Sequence, residues 1–225
     1  AAEDLRIAEF NSLQAQINPH FLYNTMDMIN WMAHQGRTSE VCNAVQSLSR
    51  FYKLTLSRKK GISTIAKEEE HVSIYVHLQN MRYHDSISFI SDIPDELMEY
   101  QIPKLTLQPV VENAVNHGIR NIDWEGHIDL SVEKWNDHIE ISVRDNGLGM
   151  TGEQIQRVLS KKVHSSSGEG DSTGIGMNNV ISRLELYYER DGLMEIYSEG
   201  EGMGTEVVIN IPLERSEKNV QNPDC

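Results

Sequence analysis

Along the first third of the chain, apolar residues recur at helical spacing. Phe10, Leu13, Ile17, Phe21, Met28 and Trp31 fall on one stripe. The pattern predicts a helix over residues 3–34, stopped by Gly36. Thr38 or Ser39 can cap a second helix, whose stripe is Val41, Ala44 and Val45, Leu48, Phe51 and Tyr52, and Thr55. A short connection between two amphipathic helices predicts an antiparallel hairpin. Two helices alone leave their stripes half covered. Dimerisation into a four-helix bundle is the expected solution, with packing onto the rest of the chain as the alternative.

Past Arg58-Lys59-Lys60-Gly61, which reads as a hinge, the periods mix. Residues 67–83 predict a helix whose Glu68-Glu69-Glu70 run reads as a solvated acidic start, as the helix dipole favours. Residues 87–94 predict a strand and turn, and 104–117 a helix that stops at Gly118. Strands over 127–135 and 138–144 flank Asn136-Asp137, a hairpin pair, so they should be antiparallel. A short helix over 152–160 precedes a Ser/Gly-rich stretch, residues 165–174, expected to be mobile. A helix over 175–190 and strands over 193–198 and 205–211 follow, with the last ten residues read as a disordered tail. Strands and helices in mixed order with antiparallel pairs predict an α+β fold, with domains of residues 1–60 and 61–215 and a tail of 216–225.

Charge sharpens that boundary. Residues 1–60 carry seven Lys or Arg against five Asp or Glu, and residues 61–225 carry thirteen against twenty-nine. A net charge of −14 makes the chain a poor partner for nucleic acid backbones. No apolar run of 18 residues and no secretory signal occur, so no membrane span is expected. The chain opens partway into a helical pattern, which suggests a fragment of something longer. Cys42 and Cys225 form neither a metal spacing nor a disulfide framework, which suits a reducing cytoplasm. The nine methionines read as core filler. His71, His77 and His84 lie on one helix, but only His77 and His84 share a face, so solvated histidines are expected there rather than a metal site.

Four clusters carry candidate chemistry. Asn18-Pro19-His20-Phe21-Leu22-Tyr23-Asn24 puts a histidine at the edge of the first stripe, directly after a proline that should kink the helix. The second is Leu107-Gln108-Pro109-Val110-Val111-Glu112-Asn113-Ala114-Val115-Asn116-His117-Gly118 on a helix. Asp145-Asn146-Gly147-Leu148-Gly149-Met150 leaves a strand, and Ser172-Thr173-Gly174-Ile175-Gly176-Met177-Asn178-Asn179 enters a helix. Gly202-Met203-Gly204-Thr205 follows later. No Walker loop occurs, yet the set suits a nucleotide. Asp145 at a strand end can accept a hydrogen bond from an adenine amino group. Gly147 and Gly149 let backbone approach the ring or turn behind it. Gly174 and Gly176 open a helix whose N–H groups can hold phosphates. Asn113 is a neutral oxygen ligand suited to Mg²⁺. Residues 147–152 also spell Gly-x-Gly-x-x-Gly, but a dinucleotide fold needs a βαβ unit, and here the preceding strand belongs to an antiparallel hairpin.

Together these clusters resemble the N, G1 and G2 boxes of the GHKL (Bergerat-type) ATP-binding domain shared by histidine kinases, gyrase-type topoisomerases, Hsp90 and MutL. With Asn18-Pro19-His20-Phe21-Leu22-Tyr23-Asn24 upstream, the resemblance narrows to sensor histidine kinases of the LytS/YesM type, over about residues 10–213. It implies a homodimeric hairpin, ATP with Mg²⁺, a histidine phosphorylated from ATP, and transfer to an aspartate of a response regulator. It also implies a place on the cytoplasmic side of the bacterial membrane, through a sensor region outside this chain. By position, His20 matches the phosphoacceptor, Asn113 the Mg²⁺ ligand, Asp145 the adenine-binding aspartate, and Gly147, Gly149, Gly174 and Gly176 the box glycines. Thr205 matches the threonine on the adenine-side water. Asn116 and His117 match positions that contact phosphate and line the adenine or ribose. Many kinases have Lys or Arg where Asn116 stands, and Lys161 and Lys162 are the candidates to supply that charge. Pro109 stands where gyrase-like ATPases have a catalytic glutamate, so transfer is expected rather than direct hydrolysis.

No base adjoins the histidine. Phe21 stands where the commonest kinases have an acid, and Asp27 lies roughly 10 Å along the axis at about 1.5 Å per residue. Glu112 or water are the two candidates. Asn24, one turn after His20, suits either a water for regulator dephosphorylation or a bundle-register contact. A Pro19 kink would then switch His20 between kinase and phosphatase states. The alternative reading of the whole is an ATP-gated conformational clamp that hydrolyses ATP without labelling itself. A nucleotide-binding scaffold without catalysis is the third.

Overall fold

A computed structural model describes residues 18–56, 61–83, 86–160 and 172–213. The chain divides into two compact units, one of residues 1–60 and 73–85, the other of residues 61–72 and 86–225.

In the first unit, α1 (Pro19–His34) and α2 (Thr38–Thr55) form the hairpin. Phe21 near the start of α1 meets Phe51 near the end of α2 at 5.0 Å between ring centroids, so the helices run antiparallel. α3 (Ile65–Tyr83) gives residues 73–83 to this unit, and the ring of its Tyr75 packs, tilted, 5.0 Å from Phe21 and 6.4 Å from Phe51 between centroids. The hairpin therefore covers part of its apolar stripe within one chain. The buried residues of α1 are Phe21, Thr25, Met28 and Met32. The predicted stripe named Trp31 instead, but that ring is half exposed, because Met32 rather than Trp31 continues the i, i+4 row. α2 buries Ala44, Leu48, Phe51 and Thr55. Its first residue is Thr38, flanked by Arg37, so neither Thr38 nor Ser39 is the cap.

The expected kink at Pro19 is not what forms. Asn18 is extended (ψ 103°), its Oδ1 accepts the amide of Phe21 at 3.1 Å, and Pro19 is the first helical residue. A residue before proline avoids the helical region, and proline at the first position loses nothing by having no N–H. So Pro19 starts α1 rather than bending it. Residues 3–17 of the predicted helix and residues 58–60 of the hinge lie outside the described residues.

The second unit holds β1 (Ile62–Thr64) paired antiparallel with β3 (Gln101–Pro103). Its main sheet has the order β2-β4-β5-β7-β6, formed by Ile87–Asp92, Gly126–Lys134, His138–Asp145, Thr205–Pro212 and Met194–Tyr197. The β2–β4 pair is parallel and the others antiparallel. Period two puts Ile128, Leu130, Val132, Ile139, Ile141, Val143, Val207, Ile209 and Ile211 on a buried face. Glu140, Ser142, Arg144 and Glu206 line the other face, where Ser142 donates to Glu206 and Arg144 pairs with it.

α4 (Gln108–Asn113), α5 (Gly152–Leu159) and α6 (Ser172–Tyr188) complete the unit. The helix expected over 104–117 starts only at Gln108, because Leu105 lies at φ 59°, which no helix accommodates. It also runs on past His117 as a π-helical turn, Ala114–Ile119, closed by Arg120 N–H donating to Val115 five residues back at 2.9 Å. The helix expected from 175 starts at Ser172, so the last residues of the Ser/Gly stretch are helical. Residues 161–171, with Lys161 and Lys162, and the tail from 214 lie outside the described residues.

Two readings of α3 are corrected. Glu68 is 2% exposed rather than solvated, and His71 is likewise buried. Both fall on the row that also buries Ile65, Val72 and Tyr75, so helical geometry carries them inward. His77 stays exposed, 2.9 Å from Asn43, and His84 lies outside the described residues. Among the described residues no group of three His, Cys, Asp or Glu side chains is set to hold a metal.

Candidate nucleotide site and phosphoacceptor

Asp145 ends β5 opposite Thr205 of β7, and both are nearly fully buried. Burial pushes the Asp145 carboxyl up to about 6, against the pull of amide hydrogen bonds from Gly147 and Thr205. None of the described lysines or arginines pairs with it. Its Oδ1 accepts the Gly147 amide at 2.8 Å. A desolvated carboxylate with free lone pairs can select a ligand that brings its own N–H donor, as an adenine amino group does.

The walls around it admit only glycine. A Cβ on Gly118 would lie 2.7 Å from Asp145 Oδ1, and one on Gly147 would lie 2.2 Å from the Gly118 carbonyl carbon. One on Gly204 would lie 2.1 Å from the Asp145 carbonyl oxygen. Backbone hydrogen bonds stitch the three segments together: Leu148 donates to Gly118 at 2.9 Å, Gly204 to Gly147 at 3.0 Å and Gly202 to Leu148 at 2.6 Å. Gly149, at φ 73°, makes the turn behind them. Gly118 and Gly204 are walls that sequence reasoning did not place in the site, although both stand in the motifs quoted above. Asn146 is a strut it also missed, its side chain accepting from His127 N–H at 2.7 Å and donating to Glu125 at 2.9 Å.

α4 and α6 pack on each other. Pro109 sits beside Gly176, and Lys104 and Leu105 accept hydrogen bonds from Arg183. Asn113 is the last residue of α4. Its Oδ1 is buried and makes no hydrogen bond, an orphaned acceptor of the kind a cation satisfies. On that observation the residue fits Mg²⁺, a hard ion taking oxygen ligands. Glu112 is half-buried and accepts from Gln108 Nε2 at 3.1 Å. Asn116 and His117 lie in the π-helical turn, just before the Gly118 that packs on Asp145. Gly174 falls in the first turn of α6, whose amides have no partner within the helix, but Gly176 lies beyond it and does not open the helix as expected. A Cβ at Gly176 would meet only ordinary contact, 3.6 Å from Pro109.

His20 stands in the other unit, exposed on the first turn of α1. Asn24 Nδ2 lies 3.0 Å from its Nδ1 and 3.2 Å from its Nε2. The amide thus straddles the ring edge and can engage only one nitrogen at a time, leaving the other to solvent.

Comparison with known proteins agrees. Residues 8–87 match the family described as histidine kinase, and residues 103–215 the family of histidine kinase-, DNA gyrase B-, and HSP90-like ATPases. The sensor histidine kinase YesM of Bacillus subtilis is 37% identical over 208 residues, 92% of this chain and 34% of that protein. The sensor protein LytS of Oceanobacillus iheyensis is 30% identical over 207 residues, covering 91% and 35%. The sensor histidine kinase BtsS of Escherichia coli K12 is 30% identical over 205 residues, covering 91% and 33%. The chain thus spans about a third of the length of these curated relatives. The histidine kinase domain from the Erythrobacter litoralis EL346 blue-light activated histidine kinase shares the fold, with a TM-score of 0.50 at 16% identity over 94% of each chain. Motifs, fold and relatives converge, and the chain belongs to the sensor histidine kinases of the LytS/YesM type.

Proposed function

We propose that this chain is a kinase core that moves the γ-phosphoryl group of ATP to His20 and then to an aspartate of a response regulator. The observation that carries the reading is Asp145, a buried carboxylate that pairs with none of the described lysines or arginines, in a glycine-walled site of a chain that also exposes a histidine on the first turn of a helix. Asp145 and Thr205 would hold the adenine side, Gly147 and Gly149 the backbone against it, and Asn116, His117 and the Gly174 turn the ribose and phosphates. Asn113 would hold Mg²⁺, which neutralises phosphate charge during transfer. A ring nitrogen of His20 attacks the γ-phosphorus, the N–P bond forms as the bond to the bridging oxygen breaks, and ADP departs. The imidazole proton leaves to Glu112 or to water.

The apolar side chains exposed on the hairpin, Tyr23, Met26, Trp31 and Val45, support a homodimeric bundle. Residues 1–60 with 73–85 would be the helical unit, the rest of 61–215 the ATP-binding domain and 216–225 the tail. No helix among the described residues is long and apolar enough to cross a membrane, so attachment to the cytoplasmic face would come from a sensor region outside these residues. The Asn24 contact supports a second role, placing a water for dephosphorylation of the regulator.

The test is incubation with Mg²⁺ and γ-labelled ATP beside His20→Gln. Label that is acid-labile and base-stable, and absent from the variant, is expected. Steady ATP hydrolysis indifferent to the variant would favour the clamp instead.

A further inference from the structure

Glu68 lies in the first turn of α3 and is almost sealed from solvent. Its Oε1 accepts the Leu105 amide at 2.9 Å, and its Oε2 accepts those of Thr106 at 2.9 Å and Leu107 at 3.2 Å. Three successive amides around one carboxylate form an anion nest, which offsets part of the cost of burying the charge, and burial still holds the Glu68 carboxyl above the usual carboxylate range. The carbonyl side of the same loop is held from the opposite direction. Arg183 of α6, itself largely buried, donates to Lys104 O at 2.5 Å and Leu105 O at 3.1 Å. Burial lowers the pKa of both Arg183 and Lys104, and the charge of Glu68 opposes this in each case, so the three form one electrostatic group.

What this group holds is the start of α4. Leu107 is the residue from which α4 departs, and its carbonyl accepts the amides of Val110 and Val111. Leu105 just before it sits at φ 59°, a conformation that costs of the order of 1 kcal/mol or more for a residue with a side chain. The Glu68 bond to its amide and the Arg183 bond to its carbonyl keep it there. α4 and the π-helical turn that continues it, six residues each, make a segment still too short to be stable by itself, so it leans on what holds its start. Asn113, with its orphaned oxygen, lies midway along that segment.

We propose that Glu68 is a positioning residue for the Mg²⁺–phosphate side of the nucleotide site: through the amides of Leu105–Leu107, with Arg183 as its counterpart, it aims Asn113. The inference rests on the nucleotide reading above. It gives a buried glutamate outside every motif a part in the reaction, acting at Asn113 and not at Asp145.

The experiment is calorimetric titration of the whole chain with ATP, once in EDTA and once in excess Mg²⁺, for wild type, Glu68→Gln and Arg183→Lys. The gln variant keeps the shape but turns N–H donors toward N–H donors. In EDTA, where the adenine side dominates, Glu68→Gln should bind within about threefold of wild type, while the affinity gained from Mg²⁺ should shrink about tenfold, the effect of one displaced polar contact. Arg183→Lys, which loses the second donor to the loop, should shift the same way by less. A full Mg²⁺ gain in a folded Glu68→Gln protein overturns the proposal. So does an equal loss in EDTA and Mg²⁺, which marks a merely structural residue. If Glu68→Gln unfolds, as read by circular dichroism, Arg183→Lys decides alone, and an unchanged Mg²⁺ gain in it overturns the proposal. Wild type that binds no ATP in either buffer would instead sink the nucleotide reading, and this inference with it.

Discussion

The two candidate centres of this chain are opposites. His20 is exposed, and its neighbour Asn24 lies four residues away on the same helix. Asp145 is buried, and its site is assembled from Gly118, Gly147, Gly204 and Thr205, which lie 27 residues upstream to 60 downstream of it. Under the proposed function, the difference follows from what each would have to do. A phosphoacceptor has to be reached by ATP and by a second protein, so it gains from standing on a surface turn. An adenine site has to strip water from the groups that read the base, because a hydrogen bond discriminates most where an unmade one costs most. Desolvation needs walls, and walls come from distant segments.

That contrast can be broken in several places. The largest effect should come from Phe21→Ala, which removes a ring packed on Phe51 and Tyr75 and should destabilise the helical unit by about 3–5 kcal/mol. His20 next to it, being exposed, should tolerate substitution without loss of stability, so thermal unfolding of both variants separates packing from chemistry. Gly147→Ala should follow closely: its Cβ would overlap the Gly118 carbonyl, and the strain should cost about 1–3 kcal/mol and remove ATP binding.

Asp145→Asn sharpens the comparison, because it should stabilise the empty protein while destroying the site. The folded carboxyl is raised from 3.8 to about 6, so the stability linked to its protonation is fully present below about pH 3.8 and lost as pH rises through about 6. By about 1.4 kcal/mol per unit, the ionised group costs about 3 kcal/mol above pH 6. Asparagine can still accept the Gly147 amide without that charge. Unfolding curves should therefore put the variant above wild type at pH 8, with the gap closing by pH 4. Its ATP affinity should fall by about 10- to 100-fold, the cost of a charged acceptor. In wild type, ATP binding should weaken below about pH 6 as the carboxyl protonates, and a binding curve flat from pH 7 to pH 5 would remove Asp145 from base recognition.

The smallest stability effect belongs to Asn24→Ala. Its contact with His20 is exposed, so unfolding should move by less than about 0.5 kcal/mol. Phosphatase activity on a phosphorylated regulator should drop all the same. If it does not, Asn24 is only a surface neighbour of the histidine.

Sequence alone determined what depends on neighbours along the chain. The helix periods placed Phe21, Met28, Leu48 and Phe51 inward, the Asn136-Asp137 pair marked the β4–β5 hairpin, and the Asp-Asn-Gly run sits at a strand end. It could not reveal that Pro19 starts its helix rather than bending it, since that turns on the extended backbone of Asn18. Only the tertiary structure decided the fate of the Glu68-Glu69-Glu70 run, in which three like residues look equally fit for water. Glu68 is buried where residues 105–107 turn three amides toward it, while Glu69 and Glu70 stay partly exposed. Helical period says which way a side chain points. Whether a charge can stay there depends on donors that arrive from elsewhere in the chain.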